Sequence, residues 1–238
     1  MIKNQFRDSK ETAEGVINHI LELMETITDR YVNIAFSGGS TPSLLFDIWA
    51  KEYKEKTNWN RLNIFWVDER CVAPSHPESN YGVMKSLLLN NVPIPEQNIF
   101  RMKGEDNPIA EADRYNTLLR DVLPTENGTT YFDLVLLGIG DDGHTASLFP
   151  DNLEALKSDR LVITTTNPYS KQHRITITAK LILDSKEIIF LVNGASKTAI
   201  LKKVLDNDTS LPSTYIVQKA NNLFLYFSTI SLPIDHTL

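Results

Sequence analysis

The chain has 238 residues, with 24 Lys and Arg against 30 Asp and Glu, and a single cysteine. A net charge of −6 argues against non-specific nucleic-acid binding, which needs a basic face. One cysteine excludes an internal disulfide and a cysteine-based zinc site. The polar N-terminal residues and the lack of a long apolar run predict a cytoplasmic protein without a signal peptide, and without a membrane or nucleic-acid partner.

The pattern of apolar residues predicts helices alternating with strands. In chain order the predicted elements are helix 9–29, strand 31–37, a helix from Thr41 to about 56, strand 62–68, helix 80–90, a helix opened by Asn107 and Pro108, strands 132–138, 161–166, 174–178 and 187–192, helix 195–206 and strand 223–228. Asp8 and Glu11 form a capping arrangement before the first helix, and Thr41 followed by Pro42 is typical of an N-cap and first helical position.

Near-continuous apolar strands between amphipathic helices predict an α/β fold with a largely parallel central sheet covered by helices on both faces, as in Rossmann-like proteins. No repeat or linker interrupts the pattern, so we expect one domain over 1–238. In such sheets ligands bind beyond the carboxyl ends of the strands. The residues directly after the predicted strands are therefore the first candidates for a site.

Residues 37–42, Ser-Gly-Gly-Ser-Thr-Pro, follow the first predicted strand. Small residues ahead of a helix N-terminus suit a bound anion, because backbone N–H groups and the helix dipole face it. A tight turn capped by Thr41 explains the same residues equally well. The segment is not a Walker A loop, since the Gly-Lys-Ser/Thr ending is missing.

Three charged residues, Asp68, Glu69 and Arg70, come directly after the second predicted strand, where we favour a site role for Arg70 over a solvated turn. Asp68 is a candidate acid, base or orienting group. Arg70 is also placed to lower the pKa of Cys71, although a packing cysteine is the simpler interpretation.

Arg174 begins a later predicted strand, and Lys197 falls in the first turn of a predicted helix. The helix dipole disfavours a cation at that end. An anion held between Lys197, Arg174 and a helix N-terminus would explain the placement. The alternative is that Lys197 extends into solvent.

Residues 138–150 form a glycine-rich segment with His144 among small and polar residues. The segment contains Gly-x-Gly-x-x-Gly, but Pro150 follows too soon for the long helix of a dinucleotide site, so we do not favour NAD binding. Histidine titrates near neutral pH and suits general acid–base catalysis. We therefore expect a loop of backbone donors beside a catalytic histidine.

Taken together, the segments 37–42, 68–70, 79–80 and 138–150 resemble the glucosamine-6-phosphate isomerase/6-phosphogluconolactonase family, in order and over nearly the whole chain. The aminosugar-phosphate deaminases of this superfamily carry a Phe-Asn-Glu-Pro ending after the histidine. Here the ending is Ser-Leu-Phe-Pro at 147–150, without a glutamate, which favours the lactonase branch.

The resemblance implies hydrolysis of 6-phospho-D-glucono-1,5-lactone to 6-phospho-D-gluconate, the second step of the oxidative pentose phosphate pathway, without a metal or cofactor. His144 would be the general base and then the acid, and Asp142 or Asp141 would orient its ring. The substrate-binding and phosphate-binding residues would be Gly38, Gly39, Ser40, Thr41, Asp68, Arg70, Gly140, Arg174 and Lys197. Backbone N–H groups of the glycine-rich loop would stabilise the oxyanion.

Two other functions compete with this one. A deaminase or isomerase acting on a sugar phosphate is the alternative enzyme, and a non-catalytic sugar-phosphate sensor is the alternative from another class. The sensor is disfavoured because no helix-turn-helix fits before the strand at 31 and the net charge is wrong for DNA. The phosphosugar lactone is the only partner we expect, and we expect a monomer, with a weak dimer as the alternative.

Overall fold

The computed structural model describes residues 1–228, so the last ten residues of the predicted domain lie outside the described part of the chain. In chain order its elements are β1 (Ile2–Phe6), α1 (Ser9–Thr26), β2 (Val32–Phe36), α2 (Ser40–Glu52), β3 (Leu62–Trp66), β4 (Asp68–Arg70), α3 (Asn80–Leu87), β5 (Ile99–Phe100), α4 (Pro108–Val122), β6 (Thr125–Glu126), β7 (Thr129–Thr130), β8 (Leu134–Leu137), β9 (Val162–Thr166), β10 (His173–Ile177), α5 (Ala179–Asp184), β11 (Glu187–Val192), α6 (Thr198–Leu205), α7 (Pro212–Lys219) and β12 (Leu223–Ser228).

Within residues 1–228, seven parallel strands form the central sheet in the order β1-β12-β11-β8-β2-β3-β5. Ile34 of β2 pairs with Ile64 of β3 on one side and with Leu134 of β8 on the other. From β2 the chain proceeds outwards through β3 to β5, and from β8 it proceeds the opposite way through β11 to β12. The order therefore reverses between β2 and β8, and a crevice opens at the carboxyl ends of strands at such a point.

Five strands of this sheet, β2, β3, β8, β11 and β12, are buried on both faces, which is why their sequences are nearly continuous in apolar residues. Ile34 and Phe36 face a core shared with α1, α2 and α3. Ala35, between them in sequence, faces a second core shared with α4, α5, α6 and α7. These two cores confirm the predicted α/β architecture with helices on both faces.

A second, three-stranded sheet has the order β4-β10-β9 and is antiparallel. The predicted strands 161–166 and 174–178 exist, but they pair in this small sheet rather than in the parallel one. Residue 68 was expected to end a strand that starts at 62, whereas the backbone ends β3 at Trp66 and begins β4 at Asp68. The short sheet places Arg70 opposite Arg174.

The expected N-cap of α2 was wrong. Gly39 occupies the cap position with φ of +108°, and Thr41 lies inside the helix. Glycine adopts this backbone conformation without strain, so the chain turns two residues earlier than the Thr-Pro pair indicates. Asp8 caps α1 as predicted, accepting from the N–H groups of Lys10 and Glu11.

Several short elements were not predicted. Of these, β1 is a largely exposed strand that pairs with β12, and α5 and α7 span six and eight residues. Elements this short carry too few turns or alternations for a periodic signal. No helix in the described part of the chain combines the length and apolar character needed to cross a membrane.

Candidate active site

A cleft of about 280 Å³ opens at the carboxyl ends of β2, β8 and β11, next to β4. It contains the point where the strand order reverses. Nine of the predicted site residues line it: Gly38, Gly39, Ser40, Thr41, Asp68, Arg70, Gly140, His144 and Lys197. The other two, Asp142 and Arg174, contact lining residues from behind. The structure therefore gathers at one site residues that are up to 159 positions apart in the chain.

The N-terminus of α2 forms one wall of the cleft. No side chain caps the helix, and a Cβ added to its cap residue Gly39 would have no neighbouring atom within 4 Å. The N–H groups of the first turn, at Ser40 and Thr41, have no partner within the helix because of their position. A helix start of this kind favours an anion.

Gly38 is held against Asn80, and a Cβ at this glycine would overlap the Asn80 amide. The same amide donates to the backbone oxygen of Asp68 at 2.9 Å and to its carboxylate at 3.1 Å. The other carboxylate oxygen of Asp68 accepts from the hydroxyl of Ser147 at 2.6 Å. Both oxygens of this buried carboxylate are thus engaged, which suits an orienting role better than that of a free acid or base.

Glu69 is 2% exposed and ties the start of α3 to β4. Its carboxylate accepts from the N–H groups of Arg70, Asn80 and Tyr81, each at 2.8 Å. Burial raises the pKa of Glu69, and the three N–H donors partly oppose this rise because they stabilise the charged carboxylate. The residue fixes the loop between β4 and α3 on which the cleft depends.

Arg70 lines the cleft and is held by one donor bond from its guanidinium to the backbone oxygen of Glu78 at 2.6 Å. Its Nε is buried and has no hydrogen-bond partner within residues 1–228. Arg174 lies opposite it in the neighbouring strand, buried, and donates to the side chain of Gln172. Burial, and then the charge of Arg70, lower the pKa of Arg174. Two adjacent guanidinium groups make this corner of the cleft strongly cationic.

Cys71, directly after Arg70, does not have the lowered pKa that was considered for it. Burial raises the pKa of its thiol to about 11, and the charge of Arg174 only partly offsets the rise. The side chain packs against the core shared with α4, α5, α6 and α7, which agrees with the packing interpretation of this cysteine.

Lys197 reaches the cleft from a single 3₁₀ turn, Ala195–Lys197, that precedes α6. Its ammonium lies 2.6 Å from a carboxylate oxygen of Asp141, and its side chain is only 23% exposed, against 81% for Asp141. The alternative in which Lys197 extends into solvent is therefore not what the structure shows. Because the carboxylate of Asp141 is exposed to solvent, its ion pair with Lys197 is weak, and an anionic ligand can replace it at little cost.

His144 and Asp142 form the centre of the glycine-rich loop. The imidazole Nδ1 lies 2.5 Å from Oδ1 of Asp142, which also accepts from the backbone N–H of His144 at 3.1 Å. Burial alone would raise the pKa of Asp142, but the hydrogen bonds and charge of His144, with a smaller effect of the Tyr169 hydroxyl, lower it to about 2. Of the two aspartates considered for orienting the imidazole, the one in contact is Asp142.

Gly140 packs against the face of the imidazole, so that a Cβ there would overlap ring atoms of His144. Its N–H donates to the backbone oxygen of His144 at 2.9 Å, and the N–H of Gly143 donates to the oxygen of Gly140 at 2.9 Å. These two donors are committed within the loop. We expect backbone N–H groups of the glycine-rich loop to stabilise the oxyanion, but those of Gly140 and Gly143 are not available for this role.

Sequence reasoning assigned no role to Asn80 or Ser147, although both lie within motifs that were singled out, and it missed Asn193 altogether. Asn193 follows β11 and lines the cleft. Its position directly after a buried strand is the same signal that pointed to Asp68, but a lone asparagine before a glycine is also an ordinary turn. Within the described residues, no group of three or more His, Cys, Asp or Glu side chains is placed to hold a metal ion.

The chain matches, over residues 7–225, the family model described as Glucosamine-6-phosphate isomerases/6-phosphogluconolactonase. It is 47% identical over 174 residues to 6-phosphogluconolactonase of Haemophilus influenzae, covering 73% of each chain. It is 36% identical over 213 residues to 6-phosphogluconolactonase of Treponema pallidum, covering 89% of this chain and 88% of the relative. The crystal structure of 6-phosphogluconolactonase from Thermotoga maritima has a TM-score of 0.81 and 27% identity, covering 95% of this chain and 98% of that one.

Proposed function

The chain belongs to the glucosamine-6-phosphate isomerase/6-phosphogluconolactonase family, and we propose that it hydrolyses 6-phospho-D-glucono-1,5-lactone to 6-phospho-D-gluconate. The observation that carries the proposal is the His144–Asp142 pair, set in a cleft whose other walls are an uncapped helix start and a cationic corner. One end of such a cleft suits proton transfer and the other suits a phosphate. The lactone needs both, since it carries a phosphate on C6 as well as the ester carbon that water attacks.

His144 is the general base in this proposal. Because Asp142 holds Nδ1, the proton of the neutral ring stays on that atom and Nε2 is free to take a proton from water. The water oxygen then bonds to the lactone carbonyl carbon, and the carbonyl becomes an oxyanion. As the oxyanion collapses, the bond from that carbon to the ring oxygen breaks, and the imidazolium returns its proton to the ring oxygen.

The carboxylate of Asp142 supports both steps. With a pKa of about 2 it stays ionised across the physiological range, so it stabilises the imidazolium formed in the first step. General acid–base catalysis of this kind contributes about 10²- to 10⁴-fold to a rate.

The phosphate is proposed to bind at the N-terminus of α2, beside Ser40 and Thr41, where unpaired N–H groups and the dipole favour it. Lys197 and Arg70 supply charge-assisted hydrogen bonds from the walls of the cleft. Arg174 lies behind the cleft wall, where its strand pairs with that of Arg70, and it adds its positive charge from there. Gly39 leaves space for the substrate beside the backbone, whereas Gly38 and Gly140 make room for the Asn80 amide and the His144 ring. Asp68 orients Asn80 and Ser147.

An aminosugar-phosphate deaminase remains the enzyme to be distinguished from this one. No glutamate lines the cleft within residues 1–228, and the segment after His144 ends in Phe149 and Pro150. We therefore favour the lactonase. A single cysteine fits a reducing compartment, and we propose a monomer in the cytoplasm.

The test is a hydrolysis assay with the purified protein and lactone generated in the cuvette from glucose 6-phosphate, because the lactone also opens unaided. The proposal expects acid release well above the spontaneous rate and no ammonia from glucosamine 6-phosphate. Ammonia release would establish the deaminase instead. Binding of 6-phosphogluconate with no turnover of either substrate would establish the sensor.

A further inference from the structure

The buried polar atoms without a hydrogen-bond partner are concentrated at the cleft. Within residues 1–228 they belong to six residues: Ser37, Trp66, Arg70, Asp142, Asn193 and Thr214. Three of these residues line the cleft, and a fourth, Asp142, holds His144. Since buried polar groups are normally paired, unpaired ones at a ligand site point to bonds that the ligand completes.

Asn193 differs from the other five in that both its amide oxygen and its amide nitrogen are buried and unpaired among the described residues. The side chain can therefore donate and accept at once. Its neighbours on the cleft wall include Leu191, Val192 and Ile139, which are apolar and buried. In such surroundings an amide hydrogen bond is stronger than in water, and an unmade one is more costly.

Asn193 lines the same cleft as the proposed proton-transfer and phosphate groups. Asn193 lies at the end of β11, on the segment that carries Lys197, and shares the cleft with His144. A lactone held in this cleft by its ester carbon and its phosphate still has three ring hydroxyl groups, on C2, C3 and C4, that need partners on the remaining walls. Adjacent hydroxyl groups offer one acceptor and one donor, which is the complement of a carboxamide.

We propose that Asn193 is a specificity-determining residue that binds a ring hydroxyl of the phosphosugar lactone through its side-chain amide. The inference rests on the proposed function and adds to it a side chain that recognises the sugar ring rather than the phosphate. A site built to bond a hydroxyl discriminates strongly against a substrate that lacks it, because its own polar group is then left unpaired.

The test combines Asn193→Leu with the 2-deoxy, 3-deoxy and 4-deoxy forms of the lactone 6-phosphate. In the wild-type protein, loss of the bonded hydroxyl should lower kcat/KM about 10-fold or more. For Asn193→Leu, kcat/KM for the complete lactone should fall by the same factor. Removing that hydroxyl from the substrate should then lower kcat/KM of this variant no further. The matched control is Asn60→Leu, at an exposed asparagine outside the cleft, which should behave as wild type.

A stability measurement separates this role from a structural one. Because the Asn193 amide makes no hydrogen bond within the described chain, Asn193→Leu should unfold at the wild-type temperature or above it. A large drop in melting temperature would overturn the inference. The inference would also be overturned if each of the three deoxy substrates lowered kcat/KM by the same factor in the wild type and in Asn193→Leu.

Failure of the inference is distinguishable from failure of the proposed function. If the wild-type protein hydrolyses the lactone but shows no coupling between Asn193 and any hydroxyl, only the inference is overturned. If the wild-type protein hydrolyses none of the lactones, the proposed function fails and the inference fails with it.

Discussion

His144 and Asp142 are two residues apart in the chain, and the imidazole Nδ1 lies 2.5 Å from the carboxylate Oδ1. The same oxygen accepts the backbone N–H of His144. A tight turn, helped by the positive φ of Gly143, thus builds the acid–base pair from a single short loop. The pair needs no partner from a distant element, which explains why one local motif carries so much of the functional signal.

Asp142→Asn should lower kcat by about 10²-fold or more, because an amide no longer fixes the ring tautomer or stabilises the imidazolium. Asp141→Asn is the matched control, since Asp141 is exposed and contacts Lys197 rather than the ring. Steady-state kinetics on both variants checks this. Equal losses of kcat in the two would contradict the assignment of Asp142 as the orienting group.

The pH dependence of folding should also reveal this pair. The pKa of Asp142 is about 2 in the folded protein, below its ordinary value, so the ionised carboxylate stabilises the fold at neutral pH. That contribution is lost as the pH falls from about 4 towards 2. The free energy of unfolding of wild type should therefore exceed that of Asp142→Asn near pH 6, and the difference should shrink near pH 2 to 3. A difference that grows on acidification would contradict the assignment.

Gly140→Ala should abolish most turnover while leaving the fold intact, because the added methyl displaces the imidazole of His144. Gly138→Ala is the control two residues earlier, where a Cβ meets nothing within 4 Å and the backbone is not in the left-handed region. The measurement is kcat for both variants together with circular dichroism. Normal turnover in Gly140→Ala would show that the ring position is not critical.

Lys197→Ala should raise KM for the phosphorylated lactone by about 10-fold or more, since it removes a charge-assisted hydrogen bond. The effect should be absent with unphosphorylated gluconolactone. Lys202→Ala, at an exposed lysine of α6, is the control. A Lys197 variant that loses activity equally on both substrates would place the ammonium at the reacting carbon rather than at the phosphate.

Cys71 should react slowly with thiol reagents. With burial raising its pKa to about 11, its thiolate fraction at pH 8 is about 10²-fold below that of an ordinary cysteine. Alkylation by iodoacetamide should be correspondingly slower in the folded protein than in urea, and mass spectrometry measures both rates. Fast alkylation of the folded protein would mean that this part of the β4–α3 loop opens readily.

The sequence predicts the main sheet well because each of its longer strands is buried on both faces and reads as a continuous apolar run. It predicts the site because parallel strands bring residues 37–42 and 138–144 to the same edge, whatever their separation in the chain. The small sheet is different. β4 consists of Asp68, Glu69 and Arg70, whose strand conformation comes from pairing with β10 and has no local apolar signal.

The interactions within the site are harder to predict than its members. Glycine at 39 moves the start of α2, and only the turn geometry reveals this. The choice between Asp141 and Asp142 depends on which carboxylate the loop turns towards the ring. The unpaired amide of Asn193 is a property of its surroundings, so no motif search finds it.

The variant His144→Ala tests most directly whether His144 performs the proton transfers of lactone hydrolysis. Hydrolysis of freshly generated 6-phosphogluconolactone is measured beside binding of 6-phosphogluconate by calorimetry. We expect kcat to fall by about 10²-fold or more while the dissociation constant for 6-phosphogluconate changes little. Undiminished hydrolysis by His144→Ala would contradict the assignment of His144 as the general base.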